Sequence, residues 1–220
     1  MMSRLKRILS RWRGGVMMVW LFVLDSLAAG PMFFLAWLKT TNLTLQIALT
    51  ALSVLLTVGV IAIAWWYYRK WPPIRRFFKT PKHVKVWWFG GAALMVGQAW
   101  LPWGEMPHNQ LVINRLLYWA PGMAIIVVVL GPMLEEFIFR GIFFRRLLPV
   151  VSRWQTGLVG VLISALIFGS LHGSLLIWRS WSYVLAGVIL ASTYLITADL
   201  RSSIVLHMLN NLISVLLFFI

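Results

Sequence analysis

Apolar runs alternate along the chain with short polar or basic segments, over Val16 to Trp37, Leu43 to Tyr67, Val86 to Trp103, Trp119 to Phe144, Gly157 to Trp178, Ser182 to Thr197 and Ile204 to Ile220. A bilayer core takes about 20 residues of helix to cross, and backbone in lipid must satisfy its own hydrogen bonds, so each run predicts a membrane-spanning helix. Seven spans follow, and the run lengths also accommodate six or eight. The fourth run is long enough to tilt, to break at Gly131-Pro132, or to extend into the interface. The expected fold class is therefore all-α, a polytopic transmembrane helical bundle. No internal repeat, low-complexity linker or loop large enough for a soluble domain interrupts the pattern.

Composition agrees with this pattern. Of 220 residues, 61% are apolar and 11% charged, with 14 Trp and 13 Phe, whereas a soluble domain carries about a quarter charged residues. The absence of Cys removes disulfides, thiolate metal sites and cysteine nucleophiles together.

Charge first suggests a different partner, because 20 Lys and Arg stand against 5 acids, a net +15. Position decides the matter. Arg4 to Arg13, Arg69 to Lys85, Arg145, Arg146, Arg153 and Arg201 gather sixteen cations on one side of the predicted topology, leaving Lys39, Arg115 and Arg179 on the other. That asymmetry predicts a cytoplasmic amino terminus and an outer carboxyl terminus. The stretch from Arg69 to Lys85 interleaves aromatics with cations and reads as a lipid-facing loop, in which Pro72, Pro73 and Pro81 prevent helix. Membrane lipids, not nucleic acid, are the expected partner of these charges. The first apolar run, with its basic start, reads as an uncleaved signal anchor.

The twentieth cation, Arg140, falls inside a predicted helix, as do Asp25, Glu135, Glu136, His172 and His207. An ionisable group at mid-bilayer costs roughly 2.5 to 3.5 kcal/mol even on lenient scales, so each calls for a partner or a function. Glu105 and Asp199 fall in loops, and Asp25 is expected to be paired within the bundle without a catalytic role.

Adjacent helical residues point about 100° apart, so Glu135 and Glu136 cannot face one spot. Arg140 stands four residues after Glu136, which makes Glu136 its ion-pair partner and leaves Glu135 freer to act as a base. His172 shares a helix face with Phe168, and His207 with Asn211. Without Ser-His-Asp, Cys-His or paired Asp signatures, the simplest nucleophile is water. Glu135 assisted by His172 could deprotonate it, and His207 and Asn211 could donate to an oxyanion. Glu135, His172 and His207 are also zinc-type ligands, and a metal-bound water would serve the same end. No His-Glu-x-x-His pair preorganises such a site. Both readings stand, with the cofactor-free one as the expectation.

At these residues the chain resembles the CPBP family of intramembrane endopeptidases, also called the CAAX protease and bacteriocin-processing or Abi family. Its three motifs are Glu-Glu-x-x-x-Arg, Phe-x-x-x-His and His-x-x-x-Asn. Here they read Glu135-Glu136-Phe-Ile-Phe-Arg140, Phe168-Gly-Ser-Leu-His172 and His207-Met-Leu-Asn-Asn211, intact and in order. The resemblance implies that Glu135 with His172 activates water, that His207 and Asn211 stabilise the oxyanion, and that Glu136, Arg140 and Phe168 support the site or contact substrate. It implies a membrane-associated peptide or protein as substrate. It also divides the bundle into residues 1–115, with the first spans and basic loop, and a catalytic core over 116–220. The chain is shorter than eukaryotic CAAX enzymes typically are, so a bacterial plasma membrane is the expected location. A non-catalytic bacteriocin self-immunity protein is the alternative function. A proton-coupled transporter is disfavoured by the missing inverted repeats.

The sequence also poses a conflict. Counted from Arg145, Arg201 and Arg153 at 1.5 Å per residue, Glu135, His207 and His172 lie at depths of roughly 15, 9 and 28 Å. For one site to form, residues Leu147 to Gly157 are expected to run along the interface, or the fifth span to tilt strongly.

Overall fold

The computed structural model describes residues 2–74, 81–98, 101, 108–148 and 154–219, with backbone alone for 2–11 and 81–83. Helices make up nearly all of it, and no strand occurs among the described residues. In chain order they are α1 (Met2–Ala28), α2 (Gly30–Leu38), α3 (Leu43–Arg69), α4 (Pro81–Gln98), α5 (His108–Trp119) and the short α6 (Met123–Ile125). A π-helical stretch (Ile126–Leu130), α7 (Gly131–Glu136) and a second π-helical stretch (Phe137–Leu147) follow, then α8 (Trp154–His172), α9 (Trp181–Thr197) and α10 (Leu200–Phe219). The all-α polytopic class is thus observed.

Among the described residues, five segments are long and apolar enough to cross a membrane: Trp12–Leu38, Leu43–Arg69, Trp154–His172, Trp178–Thr197 and Leu200–Phe219. They correspond to the first, second, fifth, sixth and seventh predicted runs. The first comprises α1 and α2, parted at Ala29 just before Gly30-Pro31, where proline has no N–H to give to the preceding turn. The third run appears as α4, which starts at Pro81 and not at Val86, so this proline opens a helix at its first position instead of preventing one. The rest of the basic loop, residues 75–80, lies outside the described residues, as do Glu105 and the connection 149–153.

The fourth run differs most from expectation. Ala120, Pro121 and Gly122 turn the chain after α5, and the helix starts at Met123 rather than at Trp119. It does not break at Gly131-Pro132. The Gly131 N–H donates to the Ile126 carbonyl, five residues back, and this wider turn accommodates a proline ring that would clash with a carbonyl four residues back.

Packing gathers these helices around the fourth run. α1 and α3 lie against the second π-helical stretch, α8 pairs closely with α9, and α10 contacts α7 and α9. Almost the whole stretch from Glu136 to Phe144 is buried. The outward faces remain apolar, with Trp20, Leu27, Leu55 and Leu217 exposed, as a surface that meets lipid requires. At one end of α3, Arg69 lies 4.5 Å from the Trp65 ring and Lys70 3.1 Å from the Trp66 ring, the pairing of cations and aromatics found at membrane interfaces.

Candidate active site

Glu135, His172 and His207 come from α7, α8 and α10 and meet at one cavity of about 380 Å³. Glu135 Oε2 lies 3.6 Å from His172 Nε2 and 3.8 Å from His207 Nε2. The depths counted from charges had kept these groups apart. Side chains lean toward the amino-terminal end of their helix. Part of the difference is taken up by the side chains themselves, and the rest by the way the helices pack around the cavity. Arg145 is moreover no marker of the bundle surface: its guanidinium packs 3.6 Å from the Tyr68 ring and donates to the Trp71 carbonyl at 3.1 Å.

Each imidazole is held from behind. His172 Nδ1 lies 2.8 Å from the Phe168 carbonyl, and His207 Nδ1 lies 3.0 Å from Glu136 Oε1. A carbonyl can only accept, so Nδ1 of His172 donates, and in the neutral ring its Nε2 presents a lone pair toward Glu135. The ring of His172 is also flanked on two sides, by Phe168 at 4.3 Å and Tyr183 at 5.0 Å between centroids. Phe168 touches a third group as well, with its centroid 5.6 Å from that of His207.

Glu136 and Arg140 form the expected pair, Arg140 Nη1 lying 3.0 Å from Glu136 Oε1 with both side chains fully buried. The same Oε1 accepts from His207, a link that helical spacing does not reveal. Arg140 also donates from Nη2 to the Gly187 carbonyl at 3.4 Å and lies 4.7 Å from the Phe168 ring. The trio is thus a brace behind the two histidines.

Asn211 also faces the cavity, and its carboxamide has a fixed orientation. Nδ2 donates to the Val127 carbonyl at 2.8 Å, while Oδ1 accepts from Asn210 Nδ2 at 3.2 Å. Asn210 accepts in turn from Gln98 Nε2 on α4, at 2.9 Å. Gln98 and Asn210 escaped the sequence reading. The available signal was weak: a polar residue at the end of an apolar run, and the direct neighbour of a motif residue.

The donor set of Glu135, His172 and His207 suits a divalent cation chemically. As arranged, however, no three His, Asp or Glu side chains among the described residues form a metal-holding group. What the geometry offers is two acceptors, Glu135 Oε2 and His172 Nε2, too far apart to bond directly and facing a common space. Glu135 Oε2 is buried and has no hydrogen-bond partner among the described residues. A water molecule could donate to both.

A helical membrane bundle with a glutamate and two histidines at an internal cavity defines the class of this molecule as a multi-pass membrane protein with a polar centre. Residues 117–213 match the family model for Type II CAAX prenyl endopeptidase, Rce1-like. The match agrees with the resemblance of the three motifs to the CPBP/CAAX protease family, a likeness to CAAX-type intramembrane endopeptidases. No curated protein and no solved structure shows a significant match.

Proposed function

We propose that the protein hydrolyses a peptide bond of a membrane-associated peptide or protein by glutamate-activated water. The observation that carries this reading is the placement of Glu135 Oε2, unpartnered, between the Nε2 atoms of two histidines at the cavity wall. Water donates one hydrogen to Glu135 and the other to His172. As its oxygen adds to the peptide carbonyl, Glu135 takes the proton, and it later passes that proton to the amine released when the C–N bond breaks.

The tetrahedral intermediate places negative charge on the former carbonyl oxygen. His207 and Asn211 stabilise it. His207 donates from Nε2 when both ring nitrogens carry hydrogen, with Nδ1 held by Glu136 Oε1. Asn211 turns one Nδ2 hydrogen to the Val127 carbonyl and keeps the other for substrate. A bacterial plasma membrane, with the amino terminus in the cytoplasm, completes the proposal.

The test replaces Glu135 by Gln, which keeps shape and removes the base. Turnover of membrane-associated peptides falls by at least about 100-fold, with unchanged thermal unfolding of the purified protein. Cleavage at the wild-type rate overturns Glu135 as the base, whereas no cleavage by wild type, with protection of cells that survives Glu135→Gln, favours a non-catalytic immunity protein.

A further inference from the structure

The cavity carries a charge pattern opposite to that of the chain. In a protein with 20 cations and 5 acids, Asp25 and Glu135 both line it, and no Lys or Arg among the described residues does. Glu135 faces two imidazoles. Asp25, from α1, has no hydrogen bond or ion pair to its carboxylate among the described residues; its backbone carbonyl accepts from Ala29 in the ordinary helical way. The expected pairing of Asp25 within the bundle is therefore not found. The same wall is otherwise apolar or neutral, with Phe22, Phe33, Leu116, Asn109 and Gln110.

An ionisable side chain inside a membrane bundle calls for a partner, and here the bundle supplies none while the cavity leaves the place open. We propose that Asp25 anchors a substrate subsite for a cation: a Lys or Arg side chain, or a free α-amino group, of the peptide that enters the cavity. This subsite rests on the endopeptidase reading of Glu135. A cation there gains a charge-assisted contact in surroundings that screen it weakly. A neutral residue leaves the carboxylate unpaired, so the discrimination draws on both effects. No Lys or Arg among the described residues lies at the wall to compete.

The experiment uses full-length wild type, Asp25→Asn and Asp25→Lys in liposomes. Internally quenched apolar peptides carry a single Lys, or the uncharged norleucine, at successive positions, each with a free or acetylated amino terminus. At one position the Lys peptide exceeds its norleucine partner about tenfold in kcat/KM, equivalent to about 1.4 kcal/mol. The ratio collapses toward one in Asp25→Asn, and Asp25→Lys favours a Glu peptide instead. If the acetylated peptides alone lose the advantage, the cation is the amino terminus. The same peptides, fluorescently labelled, are bound to Glu135→Gln protein with and without Asp25→Asn. Charge-dependent binding without cleavage by wild type overturns the endopeptidase reading alone. Cleavage or binding with no cation preference, or with one that survives Asp25→Asn, overturns the Asp25 subsite.

Discussion

Arg140 combines a full charge with complete burial, and three neighbours share the task of holding it. Glu136 balances the charge, the Gly187 carbonyl accepts a proton of the fork, and the Phe168 ring offers its face. Removing one partner of a buried pair leaves the other charged and unmatched, at a cost of about 3–5 kcal/mol. Arg140→Met is expected to lose stability in that range, measured by reversible denaturant unfolding in detergent. Adding Glu136→Gln recovers part of the loss, because no unpaired carboxylate then remains. The helical half of this brace, Glu136 with Arg140, is legible from a spacing of four. The half that reaches His207 joins positions far apart in the chain and follows no local rule.

At the scale of elements, α8 and α9 meet through small residues. A Cβ added at Gly187 would come within 2.9 Å of the Ala165 Cα and 3.3 Å of the Ala165 carbonyl oxygen. Backbone cannot swing aside as a side-chain tip can, so Gly187→Ala pushes the two helices apart. Without a hydrophobic force between helices in lipid, close packing of this kind is a principal source of association. The substitution is expected to cost about 1–3 kcal/mol and to depress activity, because the Gly187 carbonyl that receives Arg140 moves with α9. Gly59→Ala on α3, with open space around the glycine, is the control and leaves thermal unfolding unchanged. Hydropathy located α9 closely and α8 in the main, although α8 ends at His172 and not at Trp178. It said nothing of the face by which they pair, because neither helix has a strong polar side to orient it.

The whole molecule offers a clean test of orientation because it contains no cysteine. Lys70 is exposed at the end of α3 near Arg145, which in turn lies against Tyr194 in the last turn of α9. Leu176 lies before the other end of α9 and is 96% exposed. The cation distribution predicts that Lys70→Cys is labelled by a membrane-impermeant maleimide only after cells are opened, and that Leu176→Cys is labelled in intact cells. The opposite pattern reverses the proposed topology. The same distribution explains why the acidic cavity stands out: cations cluster at helix ends and in loops, so the interior holds few charges, and Asp25 and Glu135 set its sign.

Sequence alone determined the class of fold, since length, apolarity and the demand that backbone in lipid satisfy itself leave helices as the solution for these runs. It also singled out Glu135, Glu136, Arg140, His172 and His207 as candidates, because an ionisable residue in such a run is conspicuous. Three features only the tertiary structure decided. The convergence of Glu135, His172 and His207 depends on how three helices pack around one cavity, which depth counts along single helices omit. The continuity of the chain through Gly131-Pro132 depends on a π turn that no hydropathy pattern encodes. The position of Asp25 at the same cavity depends on α1 packing against the core. Each is a relation between distant segments, fixed by packing, whereas hydropathy and spacing report only on neighbours along the chain.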